Sequence, residues 1–559
     1  MKQPITLLAV VCMISMLTIN ACKPKKEGIS VDDVRGSEKL IGIEFNDAEI
    51  DTMLTYIEEN RAGYDSMRKF QLHYETTPAL YFDPRPHGFE RKVRSEQTNW
   101  KLPSNVVRPE HDDAVAFMTI PELAALLRSG QITSTELTKI YLERIRQFDD
   151  SLKAVITITE DLALAQAEKA DQEIKAGHYR SLVHGIPYGI KDLFSVPGYK
   201  TTWGAAPYKD QQLNEKAVIV SKLEDAGAVL IAKLTSGALA RGDVWFGGKT
   251  KNPWDLKQGA SGSSAGSGSA TSAGLVAFSI GTETLGSIIS PSTRCGVTGL
   301  RPTFGAVSRA GGMSLSWSMD KAGPICRSAQ DCAIVFSIIK GKTGSDNDRS
   351  TIDYEYGFDP PGDLTGYKIG YFKELFDNDT TKVGSNNKTA LSLFRQLGAS
   401  MEELSIPKEL PYDAFDIILR AEAGAFFDEL VRNHGDRKMV EQGKSSRANS
   451  LRQSRFISAV EYLQANRFRT KLIEEFYSIT KDYDLIISPT FGSRQSLITN
   501  LTGNPAISIP TGIDSLGHPT SITLLGNLYD EKPLVEAAFL FQQASEYDEM
   551  HPKKYLVRN

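Results

Sequence analysis

The chain has 559 residues, 41% of them apolar, and a net charge of −5. That composition supports a large buried core, and with no basic block it excludes nucleic acid and an anionic membrane surface as evident partners. Its five cysteines and eight histidines show neither a disulfide framework nor a zinc spacing such as HExxH, so no metal and no cofactor is expected.

Residues 1–21 read as a targeting segment. Lys2 precedes an apolar run, Ile5 to Ile19, of secretory-signal length and short for a spanning helix. The run ends Ile19-Asn20-Ala21-Cys22 and resembles the bacterial lipoprotein signal, in which cleavage leaves a lipidated cysteine. The small residue before Cys22 and the polar KPKKEG after it favour lipidation over plain cleavage. On this reading the lipid on Cys22 is the protein's hold on the membrane, and the protein faces the periplasm or the exterior of the cell envelope. Residues 22–112 form a polar tether or flap with one helical pattern, Ala48 to Phe70, followed by YFDPRPHGF.

The main domain is placed at 113–559. Thr119-Ile-Pro121 opens a short helix that Gly130 stops. Thr133-Ser-Thr-Glu136 is a capping box, and Leu137, Ile140, Tyr141, Ile145 and Phe148 follow at helical spacing. Next come a strand (Ala154 to Ile158), an Ala-rich helix ending at Gly177, a strand (Ile186 to Ile190), a helix ending at Gly227 and a strand (Ala228 to Ala232). Leu275 to Ile280 reads as a buried strand. Tyr367 to Phe372, Ile486 to Ser488, Ala506 to Ile509 and Ser521 to Leu525 read as further strands, with helical patterns over most of Leu391 to Ile479. The alternation predicts one α/β domain around a largely parallel or mixed sheet. Cys295, Cys326 and Cys332 are expected as buried free thiols, with a Cys326–Cys332 bridge as the alternative.

The stretch richest in chemistry is Gly259 to Pro291, GASGSSAGSGSATSAGLVAFSIGTETLGSIISP. Glycine and serine in this density let backbones approach closely and supply hydroxyls and N–H groups. A flexible linker would not carry an apolar run through its middle. Together with HGIPYGIKD (His184 to Asp192), GLRPTFGAVSRAG (Gly299 to Gly311), SMDKAGPICRS (Ser318 to Ser328) and NLTGNPAISIPTG (Asn500 to Gly512), it resembles the amidase signature family over roughly Thr119 to Pro552.

The resemblance implies a single α/β domain with a central mixed, twisted sheet covered by helices, and a Ser–Ser–Lys triad. The family's Gly-Gly-Ser-Ser-Gly-Gly is here Ser261 to Gly266, which makes Ser263 the bridging serine, held in the family by a cis peptide bond. Gly281-Thr-Glu-Thr-Leu-Gly-Ser287 makes Ser287 the nucleophile, and the strand-end lysine is Lys191. The backbone N–H groups of Thr284, Leu285, Gly286 and Ser287 are the implied oxyanion hole. The implied reaction cleaves a small-molecule or peptide amide of linear type to acid and ammonia or amine through an acyl-enzyme. Oligomeric state is left open.

The chemistry fits these residue types. A serine hydroxyl needs a base to attack an amide, and a lysine serves only when burial lowers its pKa from about 10.4. Asp192 would oppose that shift unless, by strand alternation, it faces away from Lys191. Without the motif, a lone strand-end lysine reads as a surface charge. Ser264, Ser267 and Ser269 read as helix-start and packing residues, and Glu283 as hydrogen-bonded within its own turn.

Two positions depart from the family: Leu285 replaces a glycine, and Ile289 stands where many members carry arginine. Both point away from the family's amidotransferase subunits and towards its stand-alone hydrolases. Two rival readings remain. Gly262-Ser-Ser264-Ala-Gly266 matches the G-x-S-x-G nucleophile elbow, but no buried strand precedes it. A non-catalytic, surface-anchored binding lipoprotein is opposed by the presence of all three triad residues.

Overall fold

The structure, a computed structural model, describes residues 28–556 apart from 345, 378, 380–382 and 493, so the targeting segment and Cys22 lie outside the described residues. The chain divides into two units, Met1–His73 and Tyr74–Asn559. In the first, helices Val31–Ile41 and Asp47–Met67 each start at a reciprocal capping box, Ser30 with Asp33 and Asn46 with Glu49. The second of these matches the pattern read from Ala48. The first escapes a reading by apolar periodicity because Val34 is its one buried apolar residue.

The second unit holds β1 (Val155–Ile158), β2 (Pro187–Lys191) and β3 (Val229–Leu234), followed by two small hairpins. These are β4 (Val244–Trp245) with β5 (Gly248–Lys249), and β6 (Lys251–Asn252) with β7 (Asp255–Gly259). Then come β8 (Phe278–Glu283), β9 (Thr298–Arg301), β10 (Lys321–Cys326) and β11 (Lys368–Phe372). The last four are β12 (Ser400–Leu404), β13 (Leu485–Pro489), β14 (Ala506–Ile513) and β15 (Pro519–Gly526). Eleven strands make one sheet in the order β1-β3-β2-β8-β10-β9-β14-β15-β13-β11-β12. Strand β2 runs parallel to β3 and β8, and β11 runs parallel to β12 and β13. The remaining pairs are antiparallel, so the sheet is mixed.

Every residue of β2, β3, β9, β10 and β13 is buried, as strands covered on both faces must be. Helix Glu160–Lys175 packs on β3, Ala329–Ile339 on β10 and Glu531–Ser545 on β14. Tyr188 of β2 stacks on Phe278 of β8 at 5.4 Å, tying together the two parallel strands that end at Lys191 and Glu283. The crevice at the carboxyl ends of parallel strands is where open α/β sheets bind ligands.

Helix Ala265–Ser272 is buried along its whole length. A Cβ on Gly266 would lie 2.3 Å from the Ala154 carbonyl oxygen and 2.4 Å from the Thr235 nitrogen. Ser267 donates to the Ile280 carbonyl at 3.1 Å and Ser269 to that of Lys251 at 2.8 Å, so both are packing residues. Strand β8 begins three residues later than the apolar run suggests and continues through Gly281-Thr282-Glu283. Strands β9, β10 and β12 were not anticipated. Cys295, Cys326 and Cys332 are free and buried.

Residues 74–112 lie with the second unit. Arg94 pairs with Asp484 at 2.7 Å and Asp530 at 3.0 Å, and Trp100 stacks on Phe358 at 5.1 Å. Among the described residues, no helix is long and apolar enough to cross a membrane.

Candidate active site

Lys191 is the last residue of β2 and is fully buried. Its Nζ lies 2.8 Å from Ser263 Oγ, 3.0 Å from Ser264 Oγ and 2.8 Å from Thr282 Oγ1. Burial pushes its ammonium down to about 7, against the opposing carboxylates of Asp320 and Glu283. A neutral amine has two protons and one lone pair, so one of the hydroxyls around it can donate to it. Ser264 cannot: its hydroxyl donates to the Thr282 carbonyl at 3.0 Å and accepts from the Thr282 N–H at 3.1 Å.

Asp192 turns to the other side. It forms an ion pair with Lys233 at 2.6 Å and accepts from the backbone N–H and hydroxyl of Thr202 at 2.8 and 2.5 Å. The strand alternation expected from the sequence therefore holds, and the neighbouring carboxylate is neutralised away from Lys191.

Ser263 follows a cis Gly262–Ser263 peptide bond, as the family resemblance implied. A Cβ on Gly262 would lie 1.8 Å from the Gly242 carbonyl oxygen, so only glycine fits there. Ser287 is nearly buried, at 8% exposure. The backbone N–H of Ser264 donates to the Ser287 carbonyl at 3.2 Å, which brings the two serine segments together. Among the described residues no hydrogen bond joins the Ser263 and Ser287 hydroxyls.

The turn between β8 and helix Ile289–Cys295 carries the implied oxyanion hole. Its left-handed residue is Gly286, at φ +80, so Leu285 replaces glycine without backbone strain. The N–H groups of Leu285, Gly286 and Ser287 have no hydrogen-bond partner among the described residues. Thr284 donates its hydroxyl to Asp320 at 2.5 Å, and Asp320 also accepts from the N–H groups of Leu315 and Ser316. The Leu285 side chain is exposed, whereas Ile289 is buried.

Glu283 holds this turn from below. One carboxylate oxygen accepts from the Ile288 and Ile289 N–H groups at 2.8 and 3.0 Å. The other accepts from Arg301 at 2.7 Å and Asn500 at 2.8 Å. Burial works against its charge, but the Arg301 guanidinium and these donors hold the carboxyl at about 2. Glu283 is thus hydrogen-bonded within its own turn, as read from the sequence, with two partners the sequence did not reveal. Thr282, Asp320, Arg301 and Asn500 were all missed as site residues. Arg301, Asp320 and Asn500 lie inside the family-like motifs, which was the available signal.

A buried amine whose pKa is lowered to about 7, ringed by hydroxyls and beside a turn of unpartnered N–H groups, is suited to nucleophilic acyl transfer with stabilisation of an oxyanion. Comparison with known proteins agrees with that chemistry. The family model Amidase matches residues 136–498. The chain is 33% identical over 475 residues to a glutamyl-tRNA(Gln) amidotransferase subunit of Thermoanaerobacter pseudethanolicus, covering 77% of this chain and 97% of that protein. It is 32% identical, with the same coverage, to the corresponding subunit of Marinomonas sp.. Among solved structures, native peptide amidase from Stenotrophomonas maltophilia superposes with a TM-score of 0.68 at 27% identity, over 77% of this chain and 97% of that one. A bacterial aryl acylamidase of the amidase signature enzymes shares the fold, with a TM-score of 0.70 at 20% identity, over 79% of this chain and 99% of that one.

Proposed function

The chain belongs to the amidase family, enzymes that hydrolyse carbon–nitrogen bonds, and we propose that it hydrolyses a linear carboxylic amide by itself through an acyl-enzyme on Ser287. The observation that carries this reading is the 2.8 Å contact of Lys191 Nζ with Ser263 Oγ, both side chains being buried. Neutral Lys191 takes a proton from Ser263 as Ser263 takes one from Ser287. Rotation of a serine about χ1, between staggered wells, closes the gap between the two hydroxyls. Ser287 Oγ then bonds to the amide carbon, the carbonyl oxygen turns towards the N–H groups of Thr284 to Ser287, and the C–N bond breaks as the amine leaves with the proton. Water cleaves the resulting ester by the reverse proton path.

The elbow reading through Ser264 is disfavoured because that hydroxyl is fully buried and committed to Thr282. A second reading, in which the chain releases ammonia for a partner protein, is favoured by the amidotransferase subunits it resembles along nearly their whole length. Leu285 and Ile289 support the stand-alone reading, and so does the signal-like segment ending at Cys22. In that reading lipid on Cys22 holds the enzyme at the cell envelope.

Peptide mapping after a fluorophosphonate reaction tests the assignment. The adduct is expected on Ser287. Ser263→Ala is expected to lose several orders of magnitude in turnover while Ser287 remains slowly labelled, since removing one member of a cooperating set disables the others. Labelling of Ser264 that persists in Ser287→Ala overturns the assignment. Hydrolysis of an amide by the purified chain alone separates the stand-alone reading from the partner-dependent one.

A further inference from the structure

Among the described residues, and apart from its own chain neighbours, a Cβ on Gly286 would meet a single heavy atom within 4 Å, the Ser496 Oγ at 3.7 Å. The space over this glycine is thus bounded by backbone on one side and a serine hydroxyl on the other, with room between them for a ligand atom. Gly286 is the left-handed residue of the turn before Ser287, and its N–H has no hydrogen-bond partner among the described residues.

Ser496 is the second residue of helix Gln495–Thr502 and is partly buried. Serine and threonine within helices often donate back to a carbonyl one turn earlier, as Thr499 does to Gln495 at 2.8 Å. Ser496 makes no such bond. Its hydroxyl accepts from Asn500 Nδ2 at a long 3.5 Å and, among the described residues, donates to nothing. A serine hydroxyl has one proton to give, and here that proton is left for a ligand.

The hydroxyl is also held in register with the turn. Asn500 Nδ2 donates to the Ser496 carbonyl and to Glu283, both at 2.8 Å. Glu283 in turn accepts from the Ile288 and Ile289 N–H groups that follow Ser287. One buried amide therefore ties the helix carrying Ser496 to the turn carrying Gly286. Farther along the helix, Arg469 Nε donates to the Leu501 carbonyl at 2.6 Å. A donor fixed beforehand needs no reorganisation when charge develops beside it.

We propose that the Ser496 hydroxyl is a further donor to the oxyanion, which lies between Gly286 and Ser496. The proposal rests on the reading of Ser287 as the nucleophile, so its test carries a control for that reading. As Ser287 Oγ bonds to the carbonyl carbon, the π electrons move onto oxygen, which accepts from the Gly286 N–H and the Ser496 O–H. Ser496 keeps its proton throughout, and the C=O bond re-forms as the C–N bond breaks. A hydrogen bond to an ionised oxygen is stronger than one to a neutral oxygen, so the contact favours the transition state over bound substrate.

Two measurements on the full chain read this out. One is steady-state hydrolysis of p-nitrophenyl acetate. The other is the second-order rate at which phenylmethanesulfonyl fluoride modifies Ser287, a reaction in which a sulfonyl oxygen takes the oxyanion's place. Ser496→Ala is expected to lower kcat about a hundredfold, with KM changed less than about threefold, and to slow sulfonylation at least about tenfold. Ser496→Thr and Ser496→Val share one shape and differ in the hydroxyl, so this pair decides even where the alanine variant fails to fold. The threonine variant is expected to stay within about tenfold of the wild type, and the valine variant to be as slow as Ser496→Ala. The acid limb of kcat/KM is expected to stay in place in all three, because the base is untouched.

A threonine variant as slow as the valine one, a folded Ser496→Ala with wild-type rates, or a loss confined to KM overturns the oxyanion role while Ser287 is still modified. A wild type whose Ser287 does not react with the sulfonyl fluoride overturns instead the reading on which that role rests.

Discussion

Asp192 and Lys233 form an ion pair at 2.6 Å with both side chains fully buried, and Asp192 directly follows Lys191, the proposed base. The pair explains how a carboxylate can follow a lysine that has to lose its proton. Its charge is balanced on the far side of the strand, and Lys233 also fastens the loop at Lys200 and Thr201.

Lys233→Met leaves Asp192 buried without its cation. Breaking a buried pair from one side costs about 3–5 kcal/mol, and the uncompensated carboxylate raises the pKa of Lys191. The expected result is lower stability in urea together with an acid limb of kcat/KM displaced to higher pH. Asp192→Asn/Lys233→Met is expected to recover much of the stability and to return the limb towards neutrality. A limb unmoved in the single variant would show that Asp192 has no electrostatic hold on the base.

Lys191, with its pKa lowered to about 7, is expected to govern both rate and stability. The proposed base works only in its neutral form, so kcat/KM is expected to rise with pH through about 7 and to fall about tenfold for each unit below it. The stability sign follows from linkage. Between about 7 and about 10.4 the unfolded chain holds a proton here that the folded chain does not, so this group makes stability increase with pH across that window. Lys191→Met removes the dependence. The Tm of Lys191→Met minus that of the wild type is expected to shrink as pH rises from 7 to 10, in a variant with almost no turnover.

Glu283, held at about 2 against roughly 4.3 unfolded, gives a slope of the same sign in a lower pH window. Its contribution, on the order of 3 kcal/mol, is present above the unfolded pKa and is lost as pH falls from about 4.5 towards 2. Glu283→Gln leaves Arg301 buried without an anion, so acid unfolding flattens while stability at neutral pH drops by about 3–5 kcal/mol. Turnover falls with it, because the Ile288 and Ile289 N–H groups that fix the turn lose a charged acceptor. Unchanged turnover in a folded Glu283→Gln would remove the turn from the mechanism.

Cys22→Ser tests the anchor. The variant precursor is expected to stay unlipidated and to leave the membrane fraction on carbonate washing. Mass spectrometry showing lipid on the variant, or full membrane retention, would dismiss Cys22 as the attachment point.

Much of the site was legible because its residues sit in contiguous motifs: Lys191 at the end of an apolar run, Ser263 and Ser287 in Gly- and Ser-rich turns. The partners were not, because they meet across long separations; Arg301 and Asn500 converge on Glu283 only once β9 and β14 pair. Strands were readable where β-branched and aliphatic residues crowd, as in β3 and β13. Strand β10 hides because Lys321, Gly323 and Pro324 break the pattern in a fully buried strand. Strand β12, Ser-Met-Glu-Glu-Leu, is a largely exposed edge and merges with the helical sequence around it. The start of β8 was misplaced because Leu275 to Ala277 are buried without being extended in the sheet, and burial alone makes them look like strand.

Helix Ala265–Ser272 lies so close to neighbouring backbone that Gly266 has no space for a methyl group. In a saturation screen scored by turnover, loss at this glycine would be indistinguishable from loss at Lys191 or Ser287. The same screen scored by soluble yield would part them: substitutions at Gly266 should deplete the protein itself, whereas Lys191→Met and Ser287→Ala should leave it abundant and inert. Intolerance to substitution along this segment is thus a property of backbone spacing, and reading it as a map of catalytic groups would enlarge the active site several-fold.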